Sequence, residues 1–157
     1  MPRICIVGNA GSGKSTLSKA LGVVLEVPIY HLDRHLLTRS LDKREPDEYT
    51  RIHQKLILEE NWIIDGNYEK VLRERISRAT LVVFLEISRF TTVPRVVRRS
   101  FTGGQPADTI PDLAQDRLRW NFLKWVAAYR RDYWRQQLIA DCAAAGVPQT
   151  QQENGSK

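Results

Sequence analysis

Directly after the apolar run Ile4-Cys5-Ile6-Val7, the chain reads Gly8-Asn9-Ala10-Gly11-Ser12-Gly13-Lys14-Ser15-Thr16. Gly8, Gly11 and Gly13 allow a backbone with positive φ to gather several N–H groups around one anion, where a Cβ would obstruct the approach. The spacing G-x-x-x-x-G-K-S, set between a strand and a helix, is that of a phosphate-binding loop. It implies a nucleoside triphosphate, ATP, cradled by Gly8, Gly11, Ser12, Gly13, Lys14, Ser15 and Thr16. In such a loop the ammonium of Lys14 reaches the β- and γ-phosphates, the hydroxyl of Ser15 ligates Mg²⁺, and Thr16 stands near the α-phosphate. The helix that Ser15 opens adds the positive end of its dipole. A loop that binds ATP without turning it over is the plainer alternative.

A magnesium ion beside such a loop needs a carboxylate at the end of a neighbouring strand. Trp62-Ile63-Ile64-Asp65 and Leu85-Glu86 each end an apolar run in an acid. Only a strand adjacent to the loop can supply it, and spacing alone does not order the strands. Asp65 before Gly66-Asn67 also reads as a turn-initiating residue. Asp33, ending Ile29-Tyr30-His31-Leu32, lies at the strand edge where open α/β sheets bind ligands, and could accept a substrate hydroxyl or start a turn. His31, one residue inside that strand, reads as a packed or hydrogen-bonded histidine. Arg95 and Arg99, four apart on one helical face with Arg98 on the flank, suit a clamp on a phosphoryl group in transfer, or a solvated helix surface.

Strand and helix patterns alternate along the chain, which implies an α/β fold with a parallel sheet covered on both faces. Leu17, Ala20, Leu21, Val24 and Leu25 recur at helical spacing over Lys14 to Glu26 and predict the stripe packed on the sheet. A helix over Asp47 to Glu60 turns Tyr49, Ile52, Leu56 and Ile57 inward, and another follows near Tyr68 to Arg78. Leu81-Val82-Val83-Phe84-Leu85 is apolar throughout, the mark of a strand buried on both faces. From Phe90 to Arg99 the pattern is helical but interrupted by Pro94. Residues 102–111 are rich in breakers, and a long helix spans Asp112 to about Ala145. Residues 1–148 read as one domain and residues 149–157 as a polar tail without core-forming content.

The 157 residues suffice for one domain burying roughly 70% of its unfolded surface. No stretch approaches a membrane span and no signal peptide is recognisable, so a cytoplasmic setting is expected. Cys5 and Cys142 lack metal-ligand spacing and read as buried free thiols. The net charge of +6 suits phosphates as well as nucleic acid, so charge alone does not choose between them.

The loop to Thr16, Val27-Pro28-Ile29-Tyr30-His31-Leu32-Asp33, Trp62-Ile63-Ile64-Asp65-Gly66-Asn67-Tyr68 and Phe122-Leu123-Lys124-Trp125 together resemble a family over roughly residues 3 to 140. It comprises small bacterial P-loop proteins similar to adenylate kinase, the DNA topology modulation or FlaR-related proteins. The resemblance implies a phosphotransferase fold with a five-stranded parallel sheet, an acceptor segment after the second strand and a short lid. It favours Asp65 over Glu86 as the magnesium-side acid, and matches Arg95 and Arg99 to the phosphate-contacting arginines at the base of the lid. Two features depart from the family. Residues 103–112 hold no Lys or Arg, and Gly146-Val147-Pro148 is followed only by the polar tail, which predicts a sheet without its final strand and without the loop that cups the adenine in relatives.

The chain thus reads as an ATP- and Mg²⁺-dependent phosphotransferase with a small-molecule acceptor, a nucleotide among the candidates. A regulatory or DNA-associated ATP-binding protein with little turnover is the rival. Its support is the basic, aromatic helix with Arg117, Arg119, Trp120, Lys124, Trp125, Arg130, Arg131, Trp134 and Arg135, although Leu118, Phe122, Trp125 and Tyr129 recur at core spacing. Phe101-Thr102-Gly103-Gly104-Gln105 precedes no apolar strand, which excludes a transporter ATPase signature, and no Asn-Lys-x-Asp marks a GTPase.

Overall fold

The computed structural model describes residues 1–32, 45–102 and 131–153. Asp33 and the breaker-rich stretch 103–111 lie outside these residues, as do residues 112–130 of the long helix. Five strands, β1 (Arg3–Gly8), β2 (Ile29–His31), β3 (Trp62–Asp65), β4 (Leu81–Glu86) and β5 (Gln149–Glu153), form one sheet in the order β2-β3-β1-β4-β5, with every pairing parallel. The described helices are α1 (Lys14–Leu25), α2 (Pro46–Ile57), α3 (Glu69–Arg78), α4 (Arg89–Thr102) and α5 (Arg131–Ala145).

Alternation along β1 builds two cores. Ile4 and Ile6 join Ile63, Val83 and Leu85 under Leu17 and Leu21 of α1. Cys5 and Val7 face the opposite way, into a larger cluster with Trp62, Ile64, Val82 and Phe84 of the sheet, Leu56 and Ile57 of α2, Leu72 and Ile76 of α3, and Leu138 and Cys142 of α5. Both faces of the central strands are therefore dry, which explains their uninterrupted apolar sequences. Both cysteines are buried and free, as their spacing suggests.

The inward stripe of α1 differs from its periodicity. Ser18 and Gly22 are buried, Leu17 and Leu21 half-buried, whereas Val24 is 77% exposed and Ala20 and Leu25 also face outward. The reason is close approach. A Cβ at Gly22 would stand 2.6 Å from Ile29 Cγ1, so the helix lies too near the sheet for large side chains on that line. In α2 the apolar pattern holds, with Tyr49, Leu56 and Ile57 buried. Pro94 does not interrupt α4, which continues through it to Thr102.

The polar tail expectation is corrected. Residues 149–153 form β5, paired with β4 from Val82↔Gln149 to Glu86↔Glu153. An edge strand is held by backbone hydrogen bonds on one side and need not contribute apolar side chains, and polar residues there discourage pairing with other chains. Composition therefore hid it. The sheet of the described residues thus has five strands, and residues 154–157 lie outside them.

Candidate active site

The phosphate loop sits where β1, the central strand, turns into α1. Gly8 has φ 150° and a Cβ there would lie 2.7 Å from the carbonyl oxygen of Leu85, so only glycine lets β1 pass β4 at this point. Gly11 and Gly13 also have positive φ. Gly13 caps α1 without a side chain, and no acidic residue occupies the first turn, so the positive end of the helix is left for an anion. Ser12 Oγ is buried with no hydrogen-bond partner among the described residues. Such an orphaned hydroxyl is a donor that a phosphate oxygen satisfies. Lys14 Nζ lies over the loop, donating to Gly8 O at 2.7 Å and Asn9 O at 2.8 Å.

Both candidate acids stand on strands flanking β1, so adjacency does not separate them. Their surroundings do. Asp65, opposite Ile6 in register, is buried and accepts on Oδ2 from Ser18 Oγ at 2.9 Å, one turn after Lys14 on α1. His31 Nδ1 meets the same oxygen at 2.8 Å. These two hydrogen bonds converge on Oδ2 and orient the carboxylate at the end of the loop. Glu86 is also buried, but its Oε2 lies 3.8 Å from Arg135 Nε on α5. Of the two acids, Asp65 is the one oriented by hydrogen bonds to α1 and β2 at the end of the loop. His31 is hydrogen-bonded, as its position in β2 suggests.

Asn67 is the residue whose part was missed. Its Oδ1 accepts from Gly8 N at 2.9 Å and its Nδ2 donates to Gly8 O at 2.7 Å. One residue earlier, Gly66 N donates to Ile6 O at 3.1 Å, so the Asn67 amide continues the β1–β3 ladder where the β3 backbone leaves it. Gly66 makes the departure possible. It has φ 129°, and a Cβ would press within 2.9 Å of Leu32 Cβ. Asp-Gly-Asn reads in sequence as turn chemistry only. Asn9 braces the loop from the other side, accepting from Ala10 N on Oδ1 at 2.8 Å and reaching the buried Thr92 of α4 with Nδ2 at 3.4 Å.

Beneath the turn, α3 buries Arg75 and α2 buries His53, both at 0% exposure. Arg75 Nη2 donates to Gly66 O at 2.6 Å and Nε to Cys5 Sγ at 3.2 Å. Burial raises the Cys5 thiol above its ordinary range, with the Arg75 charge opposing. Among the described residues neither ring nitrogen of His53 has a hydrogen-bond partner, Glu74 Oε2 standing 3.7 Å from Nδ1, and burial, reinforced by Arg75, pushes its pKa down to about 3. It is neutral at physiological pH. Neither residue carries a sequence signal, because each occupies a position that the helical stripe assigns to an apolar side chain.

Of the remaining expected residues, Arg95 projects from α4 and is exposed. Arg99 lies on the same helix, its side chain outside the description. The described part of the basic helix turns partly inward, with Trp134 packed on the larger core. No group of three or more His, Cys, Asp or Glu suited to a metal occurs among the described residues, nor does any described helix have the length and apolarity to cross a membrane.

No family model matches the chain, and no curated protein is similar enough to match. Solved structures do. A shikimate kinase from Acinetobacter baumannii in complex with shikimate is 18% identical, with TM-score 0.51, covering 92% of this chain and 94% of that one. A gluconokinase from Sinorhizobium meliloti 1021 is 17% identical, with TM-score 0.51 and coverages of 99% and 84%. The YorR protein from Bacillus subtilis, in complex with phosphorylated GDP, is 18% identical, with TM-score 0.56 and coverages of 98% and 86%. With its five-stranded parallel sheet between helices, the chain has the P-loop kinase fold.

Proposed function

We propose that the protein is an ATP- and Mg²⁺-dependent phosphotransferase acting on a small-molecule acceptor. The observation that carries this reading is the convergence of the glycine-rich loop, Lys14 and the oriented carboxylate of Asp65 on one end of the sheet. A loop alone binds phosphate, whereas an oriented acid beside it is what a metal-assisted transfer requires.

Within this reading the loop N–H groups and Ser12 Oγ bind the triphosphate, and Lys14 neutralises charge at the β- and γ-phosphates. Ser15 and Asp65 would hold Mg²⁺, which when bound polarises the phosphoryl group. Arg95 and Arg99 stabilise charge as it spreads over the transferring group, and Asp33 accepts the acceptor's proton. Fold neighbours include proteins named for kinase activity on shikimate and gluconate and one holding phosphorylated GDP, which supports a hydroxyl or phosphate acceptor, nucleotides among them.

The test is ADP release from ATP and Mg²⁺ across nucleoside monophosphates, nucleosides and small hydroxy acids. Acceptor-dependent release supports the reading. ATP binding without release for any acceptor points instead to a regulatory protein, and salt-dependent DNA binding would then identify the DNA-associated form.

A further inference from the structure

Arg75 is buried in the core, and among the described residues no carboxylate forms an ion pair with it. It occupies the inward stripe of α3 with Val71, Leu72 and Ile76. Among the described residues its guanidinium meets only dipoles, the Gly66 carbonyl and the Cys5 sulfur, and Nη1 has no hydrogen-bond partner. Cys5 remains a thiol because burial opposes its ionisation, so it supplies no negative charge, and His53 has none to offer in either protonation state. A buried cation without an ion-pair partner is costly, and an aliphatic side chain would fill the same place more cheaply. Packing therefore does not account for an arginine here.

Its hydrogen bonds suggest what does. The 2.6 Å bond goes to the carbonyl of the glycine between Asp65 and Asn67. On one side of that peptide stands the carboxylate held by Ser18 and His31, and on the other the amide that brackets Gly8. Gly8 O in turn receives Lys14 Nζ. We propose that Arg75 is a positioning residue of the phosphate site, fixing from within the core the Asp65-Gly66-Asn67 turn and, through Asn67, the entrance of the loop at Gly8.

The structural part of this proposal is independent of the reaction, while its catalytic consequence rests on the phosphotransferase reading. A charge-assisted bond to a single carbonyl restrains the turn more tightly than a neutral one. Side chains that orient site residues from behind typically govern activity by about 10–100-fold.

The experiment compares Arg75→Met, which removes charge and donors at similar length, with Arg75→Lys, which keeps the charge and one donor. Amide hydrogen exchange at Gly8 and Gly66 is read against Cys5 and Ile64 in the adjoining strands, alongside kcat and KM for ATP. In Arg75→Met, exchange at Gly8 is expected to accelerate about tenfold relative to the strand amides, with kcat down about 10–100-fold and KM changed less. Arg75→Lys is expected to recover part of both. Unchanged exchange at Gly8, or uniform acceleration across β1 and β3, would overturn the proposal in favour of simple packing. If Arg75→Met does not fold, Arg75→Lys decides by the same comparison. Should the wild-type protein transfer no phosphoryl group, the phosphotransferase reading fails, and the exchange data still decide whether Arg75 holds the loop.

Discussion

Asn67 and Gly8 are joined by two hydrogen bonds, 2.9 Å from the Gly8 N–H to Oδ1 and 2.7 Å from Nδ2 to the Gly8 carbonyl. A side chain thus does the work of a strand, and the start of the phosphate loop is tied to the residue two positions after Asp65. Asn67→Ala breaks both bonds and leaves two backbone groups without their protein partner. ATP affinity is expected to fall by about 1–3 kcal/mol, since each lost bond costs about 1 kcal/mol or more. Calorimetric titration reads this directly. Asn67→Asp keeps the acceptor but sets a carboxylate oxygen against the Gly8 carbonyl beside the anion site, and is expected to weaken ATP binding at least as much as Asn67→Ala.

The two acids on either side of β1 are separable by charge removal. Asp65→Asn should leave metal-free nucleotide binding nearly intact and abolish most of the gain that Mg²⁺ confers, because shape is preserved while the hard oxygen ligand is lost. Glu86→Gln should leave that gain unchanged. Titrations with and without the metal distinguish the pair, and the reverse result would assign the role to Glu86.

Arg95 is exposed on α4, so its removal should leave the fold intact. Arg95→Ala, and likewise Arg99→Ala, is expected to lower kcat by at least about tenfold while KM for ATP moves little, as for a group that acts on charge redistributed in the transition state. Arg95→Lys should not restore the rate if two phosphate oxygens are held by the planar fork. Solvated arginines would leave both constants within about twofold of wild type.

His53 makes stability depend on pH. Its folded-state pKa, pushed down to about 3, lies below the ordinary 6.5, so the unfolded chain takes up the proton first. Stability from this group is complete above about pH 6.5 and falls by up to about 1.4 kcal/mol per pH unit as pH drops toward 3. Denaturant melts at pH 7 and pH 5 should show that loss in the wild type. His53→Leu should flatten this part of the profile.

The parts that the sequence makes legible are those where one local pattern has one structural solution. The loop from Gly8 to Thr16 follows an apolar strand and opens a helix, and Ile4-Cys5-Ile6-Val7, Trp62-Ile63-Ile64 and Val82-Val83-Phe84 lie buried as their continuous apolarity requires. Periodicity misled where distance rather than hydrophobicity governs. Gly22 and Ser18 face the sheet because α1 lies close to it, leaving Val23 and Val24 in solvent. Gln149–Glu153 was hidden because an edge strand pairs through its backbone, which composition does not record. Arg75, His53 and Asn67 escaped for a related reason. Each acts through one specific neighbour distant in sequence, and only the folded chain brings Arg75 under Gly66 or Asn67 onto Gly8.

Lys14 tests the central claim most directly, because its ammonium lies over Gly8 O and Asn9 O and, on the proposed reading, makes a charge-assisted contact to phosphate. The measurement is calorimetric titration of ATP with Mg²⁺ into the wild-type protein and into Lys14→Ala. The expected result is saturable binding to the wild type, weakened by about 2 kcal/mol or more, roughly 30-fold in Kd, in the variant. Equal affinity for the two proteins, or no binding to either, would contradict the assignment of residues 8–16 as the phosphate site.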